Sequence, residues 1–312
     1  MARAYSCAMD LRFTHPASQP GDGNLVRGKF RLGHFEITLC SDGTYLLDGG
    51  AMFGVVPKTL WQRRTPADEN NNILLGLNTT VIRTGSAIVL IETGIGNKQS
   101  AKMQQIHQNQ ALLPASLTAA GVRPEEVTHV INTHLHFDHC GWNTTLHPDG
   151  SVTPTFPNAR YFAHAGEVQH GYLQLDRDRV SYLSPNYDPL IASGQMTLLD
   201  NERIGRNPEI VPGIAVELFP GHTAQMMGVH IQSGNEHACY IGDLFPTAHH
   251  IDPTWVMGYD LDPLTCIEQR KRFLACAIPN KWIVLFPHDH HTPAATISFN
   301  DKGKPVASAL PL

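Results

Sequence analysis

Residues 134–139 read His-Leu-His-Phe-Asp-His, which places three imidazoles and a carboxylate within six positions. Histidine makes up 18 of the 312 residues, so composition alone rarely produces such a cluster. Neutral imidazole nitrogen and carboxylate oxygen are the donors that zinc and related divalent ions accept. The stretch is therefore expected to bind metal through His134, His136, Asp138 and His139.

Three later residues follow apolar runs that read as strands. His222 comes after residues 214–220 in Pro-Gly-His-Thr, Asp243 after residues 238–242, and His288 after residues 282–287. A ligand at a strand end is held rigidly, and a tight following loop turns its side chain into a cleft. One histidine in such a place is unremarkable, but all three in this order behind the first cluster point to one composite site.

With these residues in place, the stretch from about Gly33 to about His291 resembles the metallo-β-lactamase-fold hydrolases, closest in look to the lactonase and organophosphate hydrolase branch. The resemblance implies a first metal on His134, His136 and His222. It implies a second on Asp138, His139 and His288, with Asp243 bridging the two ions. The family's Asp-Thr-Gly turn appears here as Glu92-Thr93-Gly94, which bears on support of the ligand loop. Lactonases usually carry a tyrosine three residues after the bridging aspartate, where this chain has Pro246.

The implied fold class is α/β, an αββα sandwich of two mixed β-sheets flanked by helices. The residues agree with it. Strand signals fall at 35–40, 79–83, 87–91 and 127–131, then at 160–163, 214–219, 227–231, 238–241 and 282–286. A helical segment at 99–120 is expected in two pieces around Pro114. Residues 262–277 read as a helix with Asp262 as N-cap and Pro263 at the first helical position. Residues 1–28 lack a sustained period and read as an N-terminal arm, leaving 29–312 as a single domain and room for a homodimer.

The formal charge of −5 argues against a nucleic-acid footprint, and the content is 42% hydrophobic and 16% charged. No 18-residue apolar run marks a membrane span, and residues 1–13 lack the apolar core of a secretory signal. Six scattered cysteines read as reduced thiols, so a cytoplasmic enzyme acting on a small-molecule substrate is expected. Cys140, beside the metal run, reads as a buried filler rather than a ligand.

Two divalent ions sharing a carboxylate lower the pKa of a water between them toward 7 and polarise an acyl or phosphoryl oxygen. The expected reaction is hydroxide attack on a small neutral carboxylic ester or lactone, with Asp138 orienting the nucleophile and passing a proton to the leaving group. A phosphotriester substrate is the alternative, and a mononuclear iron sulfur dioxygenase the alternative of another class. The ions are expected to be zinc, with manganese, cobalt or iron as other occupants. Met52, Phe53, Phe137, Trp142 and Phe245 are candidate pocket residues. The long segment 144–200, with a helix over 165–175, reads as a pocket wall or as a structural cover for the sheet.

Overall fold

A computed structural model describes residues 24–200 and 208–312. Residues 1–23, most of the expected arm, lie outside the described residues, and so does Cys7. The first strand begins at Val26, so the last part of the expected arm, Val26 to Gly28, belongs to the sheet.

The first sheet orders β1 (Val26–Leu32), β2 (Phe35–Asp48), β3 (Asn72–Arg83), β4 (Ile88–Ile91), β5 (His129–Ile131), β8 (Arg160–His164) and β9 (Met196–Leu199). Its first four strands pair antiparallel and the rest parallel. A separate hairpin of β6 (Thr144–Leu146) and β7 (Val152–Pro154) interrupts the chain. The second sheet runs in chain order through β10 (Glu209–Val211), β11 (Ile214–Leu218), β12 (Met227–Ser233), β13 (Glu236–Tyr240), β14 (Ile283–Leu285), β15 (Ala294–Phe299) and β16 (Pro305–Ala309). Only β13 and β14 pair parallel, joined by a crossover that contains a long helix. The expected pair of mixed sheets with flanking helices is what the chain forms.

The alternation of strand residues explains why apolar runs without a polar face are strands here. Val89, Ile91, Ile131 and Phe162 enter the layer between the sheets, where they meet Ile214, Val229, Ala238 and Leu285. Their neighbours Leu90, Val130 and Tyr161 enter a second core on the outer face of the first sheet. That core is closed by α4 (Leu113–Ala119), α6 (Ala165–Leu173) and α7 (Asp188–Ala192), after α1 (Gly49–Phe53), α2 (Lys58–Trp61), α3 (Ala101–His107) and α5 (Phe137–Cys140) in the chain. Cys239, Ile241, Val284 and Phe286 face the opposite way, under Phe273 and Leu274 of α8 (Pro263–Ala277). Strands buried on both faces read as continuous hydrophobic runs.

Helix ends follow local chemistry. Asp262 accepts from the Thr265 amide at 3.0 Å, with Pro263 in the first turn, as expected. The helical segment at 99–120 is indeed two helices, but the break comes before Pro114. Gln108 turns left-handed at φ 51° to end α3, and Pro114 opens α4.

Candidate metal centre

All ligand candidates stand beyond the C-terminal ends of strands from both sheets. The loop after β5 carries His134 and His136, and α5 carries Asp138 and His139. This loop turns tightly: the His139 amide donates to His136 O at 3.0 Å, and the Cys140 thiol donates to the same carbonyl at 3.2 Å. Gly141 then passes so close to Ile95 that a Cβ would lie 2.1 Å from the Ile95 carbonyl carbon. His222 follows β11, Asp243 follows β13 and His288 follows β14. Gly221, at φ 137°, packs against Cys266 near the start of α8 where no side chain fits.

The expected ligands converge as two clusters. Ligand atoms of His134, His136 and His222 lie within 4.8 Å of one another, and so do those of Asp138, His139 and His288. The Asp243 carboxylate spans them: Oδ2 is 3.4 Å from His222 Nε2, while Oδ1 is 3.1 Å from His288 Nε2 and 3.6 Å from His139 Nε2. His136 Nδ1 faces His222 Nε2 at 3.2 Å, and His139 Nε2 faces His288 Nε2 at 3.1 Å. The Nε2 atoms of His134 and His136 are buried without a hydrogen-bond partner among the described residues. Unpartnered buried nitrogens are costly, and converging imidazoles with a shared carboxylate are a donor set suited to two divalent cations.

Electrostatics follow the same arrangement. Burial drives the His134 and His136 pKa values well below the ordinary value, aided by neighbouring histidines, which keeps both rings neutral and able to ligate. Burial also opposes charge on His139, but Asp243, Asp138 and Glu92 outweigh it and raise its pKa. Asp243 is held well below the usual carboxylate range because His288, His139 and His222 overcome its burial.

Groups behind the ligands fix their orientation. Glu92 accepts from the Thr133 amide at 2.8 Å and stands 3.7 Å from His139 Nδ1, so the longer side chain still supports the loop. Its backbone takes the left-handed conformation, φ 61°, which a non-glycine residue adopts at a cost. Thr133 Oγ1 lies 3.0 Å from His134 Nδ1, and Gly76 O lies 3.0 Å from His288 Nδ1. Two supports are not apparent from sequence. Asp260 is buried with Oδ1 3.0 Å from His222 Nδ1, and Tyr45 in β2 donates to Asp138 Oδ2 at 2.9 Å. Asp260 lacks a motif of its own, and its closeness to the helix cap Asp262 is the only local signal.

The candidate pocket residues divide. Phe137 is partly buried beside Asp138 and stacks on His107 at 5.3 Å between centroids. Trp142 instead enters the helix-side core and donates to Asp42 Oδ1 at 2.9 Å. Phe245 is fully buried under α8, and Met52 and Phe53 are buried with Trp61 and Met257. Neighbouring elements cover these four, so they are core rather than open pocket surface. Cys140 is a buried thiol bonded to main-chain carbonyls, as expected of a filler, and burial raises its pKa. Asp289 braces its loop by accepting from the Ala248, His291 and Thr292 amides, and His250 bonds Met52 O at 2.8 Å.

Fold and ligand geometry together define a class, and comparison with known proteins gives the same one. The model of the metallo-beta-lactamase superfamily matches residues 74–288. The chain belongs to that superfamily. An N-acyl homoserine lactonase of Bacillus cereus is 26% identical over 176 residues, covering 55% of this chain and 60% of that protein. The match thus spans less than two thirds of this relative. A structure described as a probable metal-dependent hydrolase from Staphylococcus aureus is 29% identical with TM-score 0.81, covering 91% of this chain and 99% of the other. AidC, a dizinc quorum-quenching lactonase in complex with its product, shares the fold with TM-score 0.75 at 19% identity, covering 93% and 99%.

Proposed function

We propose that this chain is a dinuclear metal-dependent hydrolase acting on a small neutral carboxylic ester or lactone, with zinc the first choice for both ions. One observation carries the reading: the Asp243 carboxylate spans two separate nitrogen clusters, one oxygen toward each. Ligands on both sides favour two ions over a single iron. The lactonase relative and the lactonase fold neighbour support an acyl substrate.

When bound, the ions would supply Lewis acidity, lowering the pKa of water and polarising the carbonyl under attack. The protein's own groups do the rest. Asp138 is ionised below its ordinary pKa, because His139 and His288 overcome the burial that opposes its charge. An ionised carboxylate can accept the proton of the attacking water and return it to the departing alkoxide. Pro246 cannot donate, and its carbonyl accepts from the His288 amide at 2.9 Å. A phenol stands elsewhere, on Tyr259, next to Asp260 and partly exposed. Burial and the carboxylates of Asp48 and Asp138 raise it to about 12, so it keeps its proton at neutral pH.

The test is kcat/KM of zinc-loaded protein for a simple lactone and for an aryl phosphotriester, with Asp243→Ala as the control for contaminants. A lactone preference above about a hundredfold, nearly 3 kcal/mol of transition-state binding, is expected. The opposite preference replaces the ester reading with the phosphotriester one. Asp138→Asn should bind both ions and lose roughly 10²- to 10⁴-fold in kcat; full activity would remove Asp138 from proton transfer.

A further inference from the structure

The segment 144–200 holds a buried carboxylate that the proposed chemistry does not use. Glu167, in the first turn of α6, is fully buried. Its Oε2 accepts from the Leu135 amide at 3.3 Å and from the Tyr182 hydroxyl at 3.1 Å, and its Oε1 accepts from the Thr223 hydroxyl. Leu135 lies between His134 and His136, and Thr223 follows His222. One carboxylate thus joins the two loops that carry all three ligands of the first cluster. Tyr182 completes the contact by setting its ring edge-on to His136, with centroids 4.9 Å apart. At Gly166, the residue before Glu167, a Cβ would lie 2.6 Å from the Gln225 side chain, so α6 packs directly on the His222 loop.

We infer that Glu167 is a positioning residue for the first metal: it sets the spacing between the His134–His136 loop and the His222 loop. The inference rests on the reading of His134, His136 and His222 as one metal site. Glu167 touches none of the second-cluster ligands in the hydrogen bonds that define its place, so its influence should be confined to one ion. Its role is also one of acceptor geometry. A glutamine can present its oxygen to Leu135 and Tyr182 and its amide to the Thr223 oxygen, and so restore all three contacts without charge.

The experiment measures zinc affinity of the purified full chain by competition with a chromophoric chelator. In a His288→Ala background, which disables the second site, Glu167→Ala should weaken the remaining ion about 10- to 100-fold. In a His222→Ala background, which disables the first, it should change the remaining affinity by less than about threefold. Glu167→Gln should restore most of the loss, and Thr223→Val, which removes one contact and leaves the glutamate, should weaken the first ion partially. Equal weakening in both backgrounds would overturn the inference in favour of a general packing role, as would unchanged affinity in the first. Failure of Glu167→Gln to rescue would overturn the geometric account. If Glu167→Ala does not fold, Glu167→Gln and Thr223→Val decide alone. Wild-type protein that takes up no zinc, or that loses none with His222→Ala, would instead sink the metal reading on which the inference stands.

Discussion

Tyr45 shows how much of the proposed metal centre lies outside the residues that would ligate. Burial, then the charges of Asp138 and Asp243, hold its pKa well above the usual phenol value, so it remains a donor to Asp138 Oδ2. Its hydroxyl is also 3.3 Å from His288 Nδ1, so two second-cluster ligands meet one phenol. Tyr45→Phe removes that hydroxyl and little else. We expect about tenfold weaker binding of the second ion by chelator competition, with the first ion unaffected. Unchanged affinity would show that Gly76 O and the loop alone orient His288. The seven residues proposed as ligands could be picked out because each donor type stands in a recognisable local frame. Tyr45 was not legible, because a tyrosine in a strand is ordinarily core and nothing local marks its hydroxyl.

At the scale of elements, strand cores were readable and their extensions were not. Residues 35–40 and 79–83 are only parts of β2 and β3, which continue over 41–48 and 72–78. A register shift between Ser41 and Thr44 breaks the alternation, and Asp42 is buried there by bonds to Leu113, Ile95 and Trp142. Neither is a periodic signal. Elements are also tied by charge. Arg272 of α8 bonds Glu217 of β11, which accepts from His230 of β12 at 2.7 Å. Burial opposes charge on His230, but Cys239 and Glu217 lift its pKa to about 10. A raised folded pKa means that this stabilisation is complete below about pH 6.5 and is lost as pH rises toward 10. Glu217→Gln should lower Tm at neutral pH and flatten the alkaline decline; parallel Tm profiles for the two proteins would refute the coupling.

Across the whole molecule, His250 links the two halves of the chain. Its Nε2 bonds Met52 O of α1, its Nδ1 meets Thr247 Oγ1 at 2.7 Å, and its ring stacks on Phe53 at 4.5 Å. Burial, then Arg270, depress its pKa to about 3. A depressed folded pKa on a histidine means that its contribution is present above about pH 6.5 and declines as pH falls toward 3, because the unfolded chain takes up the proton first. His250→Gln should therefore be less stable than wild type near neutral pH, with the gap in Tm narrowing on acidification. A constant gap would show that His250 acts by packing alone.

The two-sheet class and the capped helix α8 were determined by the sequence itself, and so were the residues proposed as ligands, because donor chemistry, apolar strand runs and N-cap bonding are local properties. Which groups stand behind the ligands was decided only by tertiary structure. Tyr45, Glu167 and Asp260 come from a strand extension, a helix and a loop far apart in sequence, and only the packing of the sandwich brings them to one sheet edge. The same packing decided that Trp142, Phe245, Met52 and Phe53 are core, since a side chain's burial depends on what covers it and not on its neighbours in the chain.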